Sequence, residues 1–159
     1  MANGPSEIIL LIAGLIVAGL VSGVLLETWG DMDAAIRDKG EESAADVRTR
    51  ASLVNDPSNI AWDDTEKTAE IYLQNSGAVQ LDLNKVAIFI DSLSLTVAVS
   101  DGSTIWTPGE VVHFTVDDTS DSLSFSGENP AIMTITVASS DVGYAGAYTV
   151  TEEVRIVGS

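Results

Sequence analysis

Between Ile8 and Leu26 the chain reads IILLIAGLIVAGLVSGVLL, with no charged side chain and nothing more polar than Ser22. At about 1.5 Å per residue, roughly 19 helical residues reach about 28 Å, the hydrocarbon thickness of a bilayer. A helix on the surface of a soluble domain carries a polar face, and this stretch has none in about five turns. The options therefore reduce to two: the segment crosses a membrane, or other helices surround it on every side.

Its small residues fall in rows. Gly14, Ala18 and Ser22 stand at i, i+4 and i+8, with Gly19 and Gly23 in a second row beside them. On a helix these positions form a strip of low relief, where another helix backbone can approach closely. Glu7 sits at the edge of the apolar run and reads as an interfacial charge. No Lys or Arg precedes Ile8 and no Ala-x-Ala site follows the run, so an uncleaved anchor is expected rather than a secretory signal. The short amino end is expected on the inner side of the membrane and the large domain on the outer side.

The remaining residues have room for a connector and one modest domain. With 7 basic against 24 acidic residues the net charge is −17. That balance disfavours nucleic acid and anionic lipid surfaces, both of which call for clustered Lys or Arg. There is no cysteine, so no disulfide framework exists.

From Glu27 onward charges appear, but helical periodicity continues. Trp29, Met32, Ile36, Gly40, Ala44, Val47, Ala51 and Val54 step by three or four and form a narrow seam suited to a partner helix. Gly40 predicts a soft point. Pro57 biases Asp56 away from helical geometry and predicts the end of the helix there. Beyond Pro57 the period becomes two. Strands are expected around Ala69–Gln74, Val86–Ile90, Leu93–Val99, Val111–Val116, Ile132–Ala138 and Tyr148–Val157, with weaker ones near Ile60 and Leu123. Asp91-Ser92 predicts a hairpin turn, and Glu152-Glu153 a bulge. The expected fold class is α+β: a long hydrophobic amino-terminal helix, then an immunoglobulin-like β-sandwich of about 100 residues. Three parts follow: residues 1–26 as anchor or filament-core helix, 27–56 as amphipathic extension, and 57–159 as β-sandwich.

Catalytic chemistry finds little to use, and no cofactor is called for. His113 is the only histidine, and strand alternation puts it on the solvent face, opposite Val112 and Phe114. The one metal-like spacing is Asp117, Thr119, Asp121 and Glu128, at the first, third, fifth and twelfth positions of a calcium loop. Its sixth position is Ser122 where such loops need glycine, and its flanks read as strands, so a solvated acidic turn is the expectation. Trp62, Trp106, Phe89, Phe114 and Phe125 read as core or rim residues, with Trp106 either plugging one end of the domain or touching a partner.

An apolar amino-terminal helix, an amphipathic extension and a β-domain together resemble type IV pilin-like proteins. The order SEIILLIAGLIVAGLVSGVLL, LVNDPSNIAWDD and IYLQNSGAVQLDLNKVAIFID further resembles the archaellar accessory family FlaG, also called ArlG. The resemblance covers about the first half of the chain. It implies a non-enzymatic part of the archaeal swimming motor, held in the membrane by its helix, with the β-domain in the pseudoperiplasm. It also implies a FlaF-like partner, a link through it to the surface layer as a stator, and stacking of helices into a short filament. A filament-forming archaellin or pilin is the alternative, although such chains carry a basic leader before the apolar run. A membrane-tethered module that binds a ligand or calcium is a third reading.

Overall fold

The computed structural model describes residues 3–141 and 145–159. Helix α1 spans Asn3–Arg48. Pro5 lies in its first turn, where the missing N–H would have had no intrahelical partner. Hydrogen-bonded helix continues without interruption through Gly40. Side chains on every face of the Ile8–Leu26 run are exposed, and its most apolar 18 residues have a mean hydropathy of 2.8. The helix is therefore long and apolar enough to cross a membrane. Two units make up the chain, Met1–Glu41 and Glu42–Ser159.

The helix ends earlier than its periodicity suggested. Thr49 is fully buried, and its backbone N–H and hydroxyl both donate to the Ala45 carbonyl, at 3.0 and 2.8 Å. Residues 51–53 then pair with a strand instead of coiling further. The seam accordingly stops short of Ala51 and Val54. Ala51 is a buried strand residue, and the Val54 N–H donates to the Tyr72 carbonyl. A sheet partner satisfies these backbone groups and buries Ala51, which a solvent-exposed helical turn could not do.

The strands are β1 (Ala51–Leu53), β2 (Ile60–Asp63), β3 (Thr68–Asn75), β4 (Ala87–Ile90), β5 (Leu93–Val99), β6 (Val111–Asp117), β7 (Gly127–Ala138) and β8 (Ala147–Gly158). They form one sheet in the order β1-β3-β2-β8-β7-β4-β5-β6, which a further β3–β6 pairing closes into a ring. Every pairing is antiparallel except β2 with β8. Two strands change partners along their length. One edge of β3 takes β1 at Leu73–Asn75 and β2 at Thr68–Ala69. β5 begins against β4 and finishes against β6. Such switching joins two faces of a sandwich into a barrel-like sheet. The α+β class and the sandwich-like domain are thus present, with the sheet closed on itself.

Alternation drives this arrangement. In β3 the residues Ala69, Ile71, Leu73 and Asn75 point inward and are buried. Trp62, Trp106, Phe114, Leu81, Ile88 and Met133 fill the interior. Each large apolar side chain of this kind contributes roughly 1.5–3 kcal/mol on burial. The β4–β5 hairpin closes at Asp91 and Ser92, both at positive φ (48° and 71°), as the two-residue turn requires.

Two local expectations need correction. No bulge occurs at Glu152-Glu153, because the β7–β8 register is unbroken from Gly127↔Gly158 to Ala138↔Ala147. Glu152 instead keeps the inward-side position opposite Met133 and is half-buried there. The region of Leu123 is loop rather than strand, organised by the Asp118 carboxylate. Conversely, β7 starts at Gly127 and takes in Pro130. Neighbouring pairing turns the ring nitrogen of Pro130 away from β8, on a side that β4 no longer reaches.

Candidate functional site

Three places hold the side chains that the sequence singled out. The first is the anchor. Gly14, Ala18, Ser22, Gly19 and Gly23 are all exposed, and nothing lies within 4 Å of a Cβ built on any of the three glycines. Leu10, Val17 and Val21 flank Gly14, Ala18 and Ser22 in a shallow groove along the helix. Trp29, Met32 and Ile36 of the seam are exposed as well, and so are Ala44 and Val47.

The second place is the junction between the end of α1 and the sheet, which sequence reasoning missed. Here the helix uses Ala45, Asp46 and Thr49 rather than the seam. The Asp46 carboxylate accepts the Ala147 N–H at 2.9 Å, covering the first open amide of β8. The Arg48 carbonyl accepts from Ala78 at 2.8 Å and the Arg50 carbonyl from Ser76 at 3.1 Å. Gly77 and Gly146 allow this approach. A Cβ on Gly77 would collide with the Arg48 carbonyl oxygen, and one on Gly146 with the Ala45 carbonyl oxygen and Thr49 Oγ1.

Asn75 is the hub of this junction and is fully buried. Its Nδ2 donates to the Val79 carbonyl at 2.8 Å and to the Trp106 carbonyl at 3.1 Å, while its Oδ1 accepts the Gly77 N–H at 3.0 Å. Its backbone binds Glu110 and Gly109. Trp106 is wholly buried beside it, donates from Nε1 to the Glu110 carbonyl at 3.0 Å, and packs on Phe114 at 5.4 Å. It is therefore a plug and is not available to a partner. In the sequence, Asn75-Ser76-Gly77 showed only as a turn. That its amide would tie this turn to the Trp106 segment depends on a contact distant in sequence.

The third place is the acidic loop after β6. The residues at calcium-loop positions do not converge. Glu128 lies in β7 and pairs with Arg155 at 3.2 Å, and Asp121 faces Lys67 at 3.5 Å. Asp117 is paired within β6. The organising carboxylate is Asp118, which is 3% exposed and accepts the N–H groups of Ser120, Ser122 and Leu123 at 3.1, 2.7 and 2.6 Å. Burial pushes its pKa up, but the Ser120 hydroxyl and the backbone donors of Leu123, Ser122 and Ser120 outweigh that, so it stays below the usual carboxylate value. Among the described residues no group of three His, Asp or Glu side chains is placed to hold a metal.

His113 lies on the outer side of the sheet as alternation required, but it is covered. Tyr72 stacks on it with ring centroids 4.3 Å apart and planes 7° from parallel, and Glu70 Oε2 lies 3.4 Å from its Nε2. Its backbone N–H donates to Asp101. That bond, with those from Ser103, holds the Asp101 carboxyl below its ordinary pKa.

An exposed apolar helix of membrane-spanning length fits membrane anchoring, and among the described residues of the β-domain no metal-binding or catalytic cluster is assembled. The archaeal-type flagellin family model matches residues 2–157, and the chain belongs to that family. It is 26% identical over 123 residues to a flagella-related protein G of Methanocaldococcus jannaschii, covering 73% of this chain and 80% of that one. It is an archaellum component of the FlaG type, in a family of structural proteins rather than enzymes. Among solved structures, AggA, the major subunit of aggregative adherence fimbriae type I from Escherichia coli, aligns with a TM-score of 0.34 at 10% identity, over 70% of this chain and 94% of AggA. The YadV chaperone aligns with a TM-score of 0.36 at 11% identity, over 70% of this chain and 51% of YadV. Resemblances this loose set neither fold nor function.

Proposed function

We propose that this protein is a static, membrane-anchored subunit of the archaellar motor, a stator-type element whose work is mechanical. The Ile8–Leu26 helix sits in the cell membrane and packs against other copies through the rows Gly14, Ala18, Ser22 and Gly19, Gly23. The β-domain stands outside, in the pseudoperiplasm, and binds a FlaF-like partner that connects to the surface layer. The observation that carries this reading is the apolar helix, exposed on every face and long enough to cross a membrane.

The test is site-specific crosslinking in motile cells from positions in the helix and, separately, in the β-domain. Helix positions should capture a second copy and domain positions an envelope protein. Absence of both, with motility unaffected by deletion, removes the proposal.

Membership of the archaeal-type flagellin family favours one other reading, a filament-forming archaellin or pilin. Mass spectrometry of the native amino terminus separates the two, because cleavage ahead of Ile8 and recovery in sheared filaments would select the filament subunit. For the third reading, a calcium-binding module, calcium at ten times a dissociation constant would stabilise the domain by about 1.4 kcal/mol. An unchanged melting temperature across a millimolar titration rejects it.

A further inference from the structure

Among the described residues several stretches of strand edge in the β-domain lack a partner strand, and the sequence treats two of them in opposite ways. One runs along β8 from Thr149 to Glu153, beyond the reach of β2, which pairs only at Ile156–Gly158. It carries Glu152 on the inward side and Glu153 on the outward side, the kind of charge that keeps a foreign strand from adding. The other lies where β5 leaves β4. Pairing with β4 ends at Ile88↔Leu95, and from Thr96 onward β5 pairs only with β6. Its residues there are Val97, Ala98 and Val99, with no charge and no proline.

Register shows which way these backbone groups face. The Ser100 N–H donates to the His113 carbonyl, so Ala98 and Thr96 are the residues bonded to β6, and Val97 and Val99 turn their N–H and C=O to the opposite side. The Asp91 N–H donates to the Ile132 carbonyl, so Phe89 and Ala87 bond to β7, and Val86 faces the same opening from the β4 side. Among the described residues neither the strand pairings nor the other backbone hydrogen bonds give these groups a partner. Between them is a cleft of about 650 Å³ in which Leu83, Val86, Val97 and Val99 share the lining with polar Gln80, Asp82, Asn84, Ser103, Thr104 and Ser140. Leu83, Val86, Val97 and Val99 are half-buried and lean on the core.

We propose that this cleft accepts an extended segment of a different polypeptide as an added strand, apolar at alternate positions and flanked by basic residues. A strand occupies about 4.8 × 10 × 3.4 Å, or roughly 160 Å³ per residue, so the cleft takes about four residues. Unpaired N–H and C=O groups along both walls require a backbone as occupant, and the four apolar side chains require apolar residues on the face turned to the core. The donor is not a second copy. Among the described residues every alternating segment is already in the sheet, so a second copy has no free strand to give. Asp82 at the rim is paired with Lys85 at 3.5 Å, and the negative field that basic flanks would meet comes from the net charge of −17.

The proposal rests on the outward-binding role of the β-domain, and its test is separate. The full chain in nanodiscs is titrated with a synthetic peptide of alternating threonine and valine with lysine at both ends, and amide exchange is followed residue by residue. Val86, Val97 and Val99 amides should exchange rapidly in the free protein and slow at least tenfold at saturation. A peptide N-methylated at its cleft-facing amides loses at least two hydrogen bonds and should bind tenfold or more weakly. Amides of Val97 and Val99 that the peptide leaves unchanged, or that are already as protected as Leu95 in the free protein, overturn the proposal, as does equal binding by the N-methylated peptide. Envelope crosslinks that persist alongside such a result leave the anchoring role standing, whereas protection without crosslinks removes that role and keeps the slot.

Discussion

Replacing Asn75 by alanine tests the junction directly. The side chain makes three hydrogen bonds inside a fully buried site, to the Val79 and Trp106 carbonyls and from the Gly77 N–H. Each such bond contributes about 1 kcal/mol net, and each buried group left without a partner costs about 1–3 kcal/mol. Removing all three should destabilise the β-domain by about 3–5 kcal/mol, a large share of the roughly 5–15 kcal/mol that a domain possesses. For a domain of this size that lowers the melting temperature by roughly 12–20 °C. The assay is thermal unfolding of the full chain in detergent, read by near-ultraviolet circular dichroism, where immobilised Trp62 and Trp106 dominate over exposed Trp29. Gln74→Ala, one residue away with a single exposed bond to the Gly109 carbonyl, should cost less than about 1 kcal/mol. A loss below about 1 kcal/mol for Asn75→Ala would refute the reasoning, because it would mean that water or neighbouring groups satisfy those carbonyls.

Gly77→Ala and Gly146→Ala should each cost about 2–3 kcal/mol in the same assay, since the added methyl meets backbone oxygen in both cases and the chain must move; an unchanged melt would show that α1 is not held so closely. Asp118→Asn should cost about 1–2 kcal/mol at neutral pH through loss of charge on a carboxylate bound by three backbone amides. Because the folded pKa of Asp118 lies below its ordinary value of 3.8, that advantage is complete above about pH 3.8 and fades as pH falls through the folded value. Denaturant melts from pH 7 to 2 should therefore show the gap between wild type and variant closing only in acid, and a gap that is constant or widens there would contradict the assignment. Ala18→Leu and Gly19→Leu should weaken crosslinking between helices while leaving the melt of the β-domain unchanged, and full crosslinking in both variants would clear the small-residue rows of any packing role.

Much of this protein is settled locally and is therefore visible in the sequence. Nineteen residues without a charge can be stable as a helix in lipid or among helices, and the period-two runs at 69–74, 87–90, 93–99 and 111–116 announce strands because one face of each must be buried. The outward placement of His113 follows from the same alternation. The junction and the open slot could not be read this way. Where α1 stops is decided by Thr49 turning back on Ala45 and by Arg48 and Arg50 meeting a loop near residue 77. The identity of the organising acid, Asp118 rather than Asp117 or Asp121, depends on which backbone amides the loop presents. Val97 and Val99 look like any strand residues until the partner of each edge is known. Periodicity records which face of an element is buried, whereas pairing, closure and the fate of each backbone donor are properties of distant segments meeting, and only the assembled sheet decides them.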